Sequence, residues 1–384
     1  MGSELHPRPE EPPQLLPDQE LPHARSINRL ESPHVGLDRI FIGPQGLRAG
    51  WSILLFAAFF YIFREIVGTV FFAAGLIDEN RDDSAISLLI GELIPFLALV
   101  GAASFMALLE GRRILSYHLA GKYRAVRFLV GAAAGFAALS LLVGALAWGG
   151  WLQLSSSTLS PTDAWRNAVL WGCVFLVVGS VEEGLFRCYG LFTLHRGINF
   201  WWALATQIAI CLFLAMRHGD HGAWGVYLAS LLGLFPCLMI HMSAAPHDGS
   251  FWQAAWVTST VFGLYHTANG GENWIGVFAA ASIGFVFCVS VRVTGSAWWA
   301  IGCHAAWDWA ETYFYGTADS GLRGQGHLLS ASPVGNPLWS GAADGPEGSL
   351  LVLAVILLLL LGLLALYGRT RPQTSEAMLS WPGQ

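Results

Sequence analysis

Apolar and polar positions fall in long blocks along this chain. After a polar opening stretch come ten apolar runs, each near the roughly 20 residues a helix needs to cross about 30 Å of hydrocarbon. Their approximate spans are 49–75, 85–109, 126–150, 164–194, 199–217, 222–243, 252–268, 274–293, 295–315 and 349–367. The fourth run is long and predicts a helix that is tilted or begins in the interface. The last, LLVLAVILLLLLGLLAL, is plain lipid-facing sequence and reads as an anchor. No internal repeat is evident. The pattern predicts an all-α polytopic membrane protein, a bundle of about 8–10 transmembrane helices.

Composition agrees. Of 384 residues, 54% are hydrophobic and 12% charged, with mean hydropathy +0.52; soluble domains carry about 25% charged residues. The net charge of -6 lies mostly in tails and loops, and no basic stripe points to nucleic acid. Lys122 is the one lysine, and the preference for arginine hints at a GC-rich bacterial genome. Cys173, Cys188, Cys211, Cys237, Cys288 and Cys303 all lie in apolar segments without CxxC spacing, so they read as small hydrophobes.

Four regions follow. Residues 1–48 hold eight of the seventeen prolines and read as a disordered cytoplasmic tail. They lack the features of a signal peptide, so the first spanning helix is expected to serve as its own insertion signal. Residues 49–150 carry the N-terminal transmembrane helices, 164–321 a core with an insert at about 196–250, and 349–384 a final helix and short tail. With the N-terminus inside, fourteen of the twenty basic residues fall in inner segments and four in outer ones. That bias predicts a multi-pass protein of the cell (inner or plasma) membrane with both termini cytoplasmic.

The most informative stretch is VFLVVGSVEEGLFRCYGLFTL, 174–194, with Glu182, Glu183 and Arg187 inside an apolar helix. Each such charge costs about 2.5–3.5 kcal/mol on insertion scales, and intramembrane ionisable groups mark functional sites by default. Residues i and i+4 share a helix face, so Glu183 and Arg187 are expected to neutralise each other, while Glu182 points elsewhere without a partner in its own helix. A carboxylate in a low-dielectric pocket suits a general base. The plainer alternative is that all three hold helices together.

Two further apolar runs carry polar residues at the same spacing. Phe262-Gly-Leu-Tyr-His266 ends the seventh, and His304-Ala-Ala-Trp-Asp308 lies in the ninth, where Ala305 and Ala306 permit close helix approach. A structural histidine at 266 and an intrahelical His304–Asp308 hydrogen bond are the alternatives to a chemical role. One glutamate, two histidines and an aspartate on three helices can activate water and stabilise an oxyanion, or can bind a metal such as zinc. The residues alone leave both open.

In their order, Glu182-Glu183-x-x-x-Arg187, Phe262-x-x-x-His266 and His304-x-x-x-Asp308 resemble the motifs of the CAAX protease and bacteriocin-processing family, intramembrane endopeptidases similar to the type II CAAX prenyl endopeptidase. The resemblance spans about 164–321, with a weaker echo in Gly345-Pro-Glu-Gly348. It implies transmembrane helices enclosing a polar intramembrane cavity and hydrolysis of peptide bonds in a peptide or membrane-protein substrate. It implies Glu182 as the water-activating base, His266 as its partner or a metal ligand, His304 and Asp308 as oxyanion stabilisers or ligands, and Glu183 with Arg187 as the supporting pair. The family's chemistry is described both as that of a metalloprotease, with Zn2+ or another divalent metal on Glu182, His266, His304 and Asp308, and as a metal-free glutamate mechanism. Prenyl-protease members usually have asparagine where Asp308 stands, so Asp308 is expected to be protonated, to orient His304, or to bind metal. The long gap from Arg187 to Phe262 holds two extra spans.

Among the remaining polar residues, Arg64, Glu65 and Glu92 read as interhelical pairs. His218-Gly-Asp-His221 reads as a solvated outer loop, and Glu272 and Glu311 as helix-end groups that reach water. The seventeen tryptophans read as interfacial belts. A non-catalytic scaffold, immunity or partner-binding protein, or a transporter using its intramembrane Glu, Arg and His as a proton relay, are the competing functions. Substrate identity and oligomeric state have no signature in the sequence.

Overall fold

The computed structural model describes residues 38–43, 45–77, 84–156, 159–217, 222–244 and 248–368. Among these, ten long helices follow the ten apolar runs. They are α1 (Ala49–Ala73), α2 (Ala85–Leu109), α3 (Arg124–Trp148), α4 (Pro161–His195), α5 (Phe200–Arg217), α6 (Gly222–Ser243), α7 (Gly249–His266), α8 (Trp274–Thr294), α9 (Trp298–Trp309) and α10 (Leu351–Tyr367). Helices α1, α2, α3, α4 and α8 are long and apolar enough to cross a membrane; shorter apolar stretches lie at Phe200–Leu214, Gly233–Ser243 and Leu351–Tyr367. The architecture is that of an all-α polytopic membrane protein. One short antiparallel pair, β1 (Leu152–Ser156) with β2 (Leu329–Pro333), closes one end of the bundle in the register Leu152↔Pro333.

Helix starts follow local chemistry. Ser84 Oγ accepts from Ser87 N to cap α2, and Ser160 Oγ accepts from Asp163 N to cap α4, with Pro161 just inside. Asn273 Oδ1 accepts from both Ile275 N and Gly276 N at the start of α8. Such caps satisfy backbone donors that a helix start leaves unpaired.

The helix that matters most for the site, α9, is seated by glycines. A Cβ on Gly131 would collide with the Trp299 carbonyl, one on Gly135 with the Cys303 carbonyl, and one on Gly302 with the Phe128 carbonyl. Small residues let α3 and α9 touch backbone to backbone, the usual device where lipid removes any hydrophobic drive between helices. On its other side α9 lies antiparallel to α4. Ala305 meets Gly179, while the Trp309 indole donates to the Ala168 carbonyl and the Tyr313 hydroxyl to the Ala164 carbonyl. The expected close approach at Ala305 is thus realised.

Several sequence expectations need correction. Residues 38–47, assigned to the disordered tail, carry a short helix (Asp38–Phe41) and a two-residue hairpin. Arg196 anchors this hairpin by donating to the carbonyls of Gln45 and Leu47. Arg64 and Glu65 pair with each other on an exposed face of α1, as sequence neighbours, at 3.5 Å. Trp171 and Trp299 are core residues rather than belt residues. Of the cysteines, Cys188, Cys237, Cys288 and Cys303 are buried, Cys211 is intermediate and Cys173 is exposed. The remainder of the tail reading (1–37), the His218–His221 loop and the C-terminal tail from 369 lie outside the described residues.

Candidate active site

Glu183 is the hub from which the site is built. It is fully buried, and its Oε1 accepts from Arg187 Nη1 at 3.2 Å and from His304 Nδ1 at 2.9 Å. The expected Glu183–Arg187 pair is therefore formed, and it also holds a histidine from another helix. Immediately after Glu183 the helix widens into a π-helical segment, Gly184–Gly190, before resuming at Leu191. Such segments often accompany functional sites. Arg187 sits inside the widened turn with its guanidinium over the rings of Phe262 (4.2 Å) and Phe287 (5.3 Å). Gly284 leaves the recess it occupies: a Cβ there would strike Arg187 Nη2. Ring faces stabilise a desolvated cation, so the aromatic cage offsets part of the burial cost. Below, the Arg187 carbonyl accepts from His118 Nδ1 at 2.8 Å. Burial pushes the His118 imidazole down to about 4, so it is neutral.

Glu182 faces the other way. Its Oε2 stands 3.6 Å from His304 Nε2, and Asp308 Oδ2 stands 3.5 Å from the same nitrogen. These lengths are those of charge contacts rather than hydrogen bonds. Glu182 Oε2 is buried and lacks a hydrogen-bond partner. His304 is thus fixed at Nδ1 by Glu183 and flanked at Nε2 by two carboxylates.

His266 ends α7. Its Nδ1 lies 2.9 Å from the Phe262 carbonyl, which can only accept, so Nδ1 carries the proton. The Phe262 ring packs against both imidazoles, its centroid 4.6 Å from that of His266 and 6.1 Å from that of His304. This explains the i, i+4 pairing of phenylalanine and histidine: the ring spaces the two imidazoles and roofs Arg187. Glu182, His266, His304 and Asp308 all line one cavity of about 510 Å³, within the usual range for ligand sites.

Sequence reasoning missed other residues of this cavity. Glu92, expected to pair between helices, lines it, as do Asp319 and Glu347. Glu311, expected to reach water, is fully buried, and its Oε2 accepts from the Trp307 indole at 3.0 Å. The hint for Glu347 was present in the Gly345–Gly348 echo; Asp319 had none. Glu272 sits at the same end, where burial, Asp344 and Glu347 push its carboxyl up to about 8. Burial and Glu347 push Asp344 up to about 7.

Among the described residues, three or more acid, thiol or imidazole groups come within 4.8 Å of one another at Glu311, Asp319 and Glu347. Glu182, His266, His304 and Asp308 do not close around a common point in this way. Their two nearer carboxylates flank a single imidazole nitrogen instead.

Comparison with known proteins gives one result on residues 237–310, which match the family model described as Type II CAAX prenyl endopeptidase Rce1-like. The matched stretch includes Phe262, His266, His304 and Asp308 and stops short of Glu182, Glu183 and Arg187. Among curated proteins and solved structures, nothing matches. The match is to an endopeptidase family, in agreement with the resemblance carried by the ordered motifs.

Proposed function

Proceeding from a multi-pass membrane protein with an endopeptidase-like segment at 237–310, we propose that the chain is an intramembrane endopeptidase that hydrolyses peptide bonds with a water activated by Glu182 and His266. The observation that carries this reading is the convergence on one cavity of Glu182, whose Oε2 is buried and meets no donor, of His266, whose Nδ1 is tied to the Phe262 carbonyl, and of a second imidazole locked by Glu183 (His304).

Each residue has a step. His266, protonated at Nδ1, presents the Nε2 lone pair and holds a water together with Glu182. Glu182 takes a proton as the water oxygen attacks the substrate carbonyl carbon. His304, held by Glu183 at Nδ1, offers an Nε2–H to the oxyanion that forms, and Asp308 keeps that proton on the ring. Glu182 then returns its proton to the leaving nitrogen, the C–N bond breaks, and a carboxylic acid and an amine are released, the acid's proton passing to the amine. Low dielectric strengthens every such contact at the moment of reaction. A bound Zn2+ would supply Lewis-acid polarisation of the carbonyl, and elemental analysis of purified protein beside its E182Q variant tests for one.

The substrate is a peptide or membrane protein that enters from the bilayer, and both termini face the cytoplasm. The E182Q variant is expected to lose about 10²–10⁴-fold in cleavage rate, the usual worth of a general base, with unchanged elution and melting in detergent. Equal cleavage in that variant would remove the base from Glu182.

A further inference from the structure

Beside the cavity, where α9 runs out and the chain returns through 316–348, three carboxylates meet. Glu311, Asp319 and Glu347 each offer an oxygen, and these oxygens lie within 4.8 Å of one another. Oxygen ligands bound to one calcium ion at about 2.4 Å stand at most about 4.8 Å apart. The three oxygens are therefore within the reach of a single hard cation.

Donors already meet several oxygens of these groups. The Trp307 indole donates to Glu311 Oε2 at 3.0 Å and to Glu347 Oε1 at 2.7 Å. Ser320 donates to Glu347 Oε2 at 3.1 Å, and Thr312 to Asp319 Oδ2 at 3.2 Å. Glu311 Oε1 is different: the residue is fully buried, and this oxygen meets no donor. Nearby, Asp344 Oδ1 is likewise buried and without a donor. An ionised carboxylate can only accept, and leaving one buried without a partner costs several kcal/mol. Among the described residues no arginine or lysine forms an ion pair with any of the three.

We infer that Glu311, Asp319 and Glu347 form a binding site for one hard divalent cation of the calcium class, separate from the Glu182–His304 centre. All-carboxylate and hydroxyl surroundings exclude a preference for soft metals. The ion would bolt the returning segments 316–324 and 345–348 to α9, one helical turn from Asp308, and so fix the far wall of the cavity. The inference stands whether or not the chain is a peptidase.

Terbium(III) tests it, because an ion held here lies against the Trp307 indole and its emission is excited through tryptophan. Full-length protein in detergent, stripped with chelator, is expected to give saturable sensitised emission that Ca2+ displaces. E311Q and D319N should each weaken binding by about tenfold or more, on the scale at which metal sites respond to lost partners. W307F should dim the emission while Ca2+ still raises the melting temperature. E347Q, on the returning segment, gives a second variant should E311Q fail to elute as folded protein. Binding in E311Q and D319N equal to that of the unsubstituted protein would overturn the assignment. So would the absence of saturable emission from the unsubstituted protein at alkaline pH, which would mean that the carboxylates share protons instead.

Discussion

At the residue scale the decisive feature is a division of labour between adjacent glutamates. Glu183 is consumed by structure, tied to Arg187 and to His304 Nδ1. Glu182 is left with a buried oxygen that no donor reaches. The i, i+4 rule made the Glu183–Arg187 pair legible in the sequence, because it is a property of one helix. The Glu183–His304 bond was not legible, because it joins residues 121 positions apart through packing. Breaking a buried pair strands its partner's charge, which costs about 3–5 kcal/mol. R187M is therefore expected to lower the melting temperature and the yield of folded protein sharply, as read by fluorescence-detected gel filtration. Asp308 behaves differently. Its oxygen lies 3.5 Å from His304 Nε2, so D308N, which keeps the shape and adds a donor, is expected to retain cleavage. D308A should lose about 10²–10³-fold, the scale of a disrupted oxyanion contact. Rates for the two variants in the same detergent separate these outcomes.

At the element scale the site depends on how closely α9 is seated. Run lengths and hydropathy located the helices to within a few residues at most ends, since lipid enforces both, although the ninth run (295–315) extends beyond α9 at both ends. The π-helical segment at Gly184–Gly190 left no mark, because neither composition nor periodicity encodes one extra residue in a turn. Nor did hydropathy reveal that the stretch after α9 returns to bury Glu311; a helix-end position suggested water, and the returning chain removes it. The glycine contacts yield a sharp expectation. G135A places a methyl against the Cys303 carbonyl, an overpacking change worth about 1–3 kcal/mol, and displaces the helix that carries His304 and Asp308. G144A on the same helix meets nothing within 4 Å and should be neutral. Melting temperature and cleavage rate should fall together in the first variant and in neither case for the second.

At the scale of the whole molecule, a cluster of acids at one end of the bundle ties stability to pH. Glu272 is pushed up to about 8 and Asp344 up to about 7, each mainly by burial. The folded protein then holds protons that the unfolded chain, with carboxylates near 4, has released. Where the folded state binds more protons, stability falls as pH rises. That fall runs from about 4 up to about 8 for Glu272 and to about 7 for Asp344. His118, pushed down to about 4 by burial, works in the opposite sense up to its unfolded value near 6.5. The clean window is therefore from about 6.5 to about 8. Melting in chelator should drop across that window, and E272Q should flatten the drop.

In the proposed function, Glu182 drives hydrolysis of a peptide bond inside this cavity. The most direct measurement reconstitutes the protein and its E182Q variant in liposomes with a mixture of transmembrane peptides and reads new peptide termini by mass spectrometry. New termini with the unsubstituted protein, and none with E182Q of equal stability, are the predicted result. The same termini at the same rate from E182Q, or none from either protein, would contradict the account.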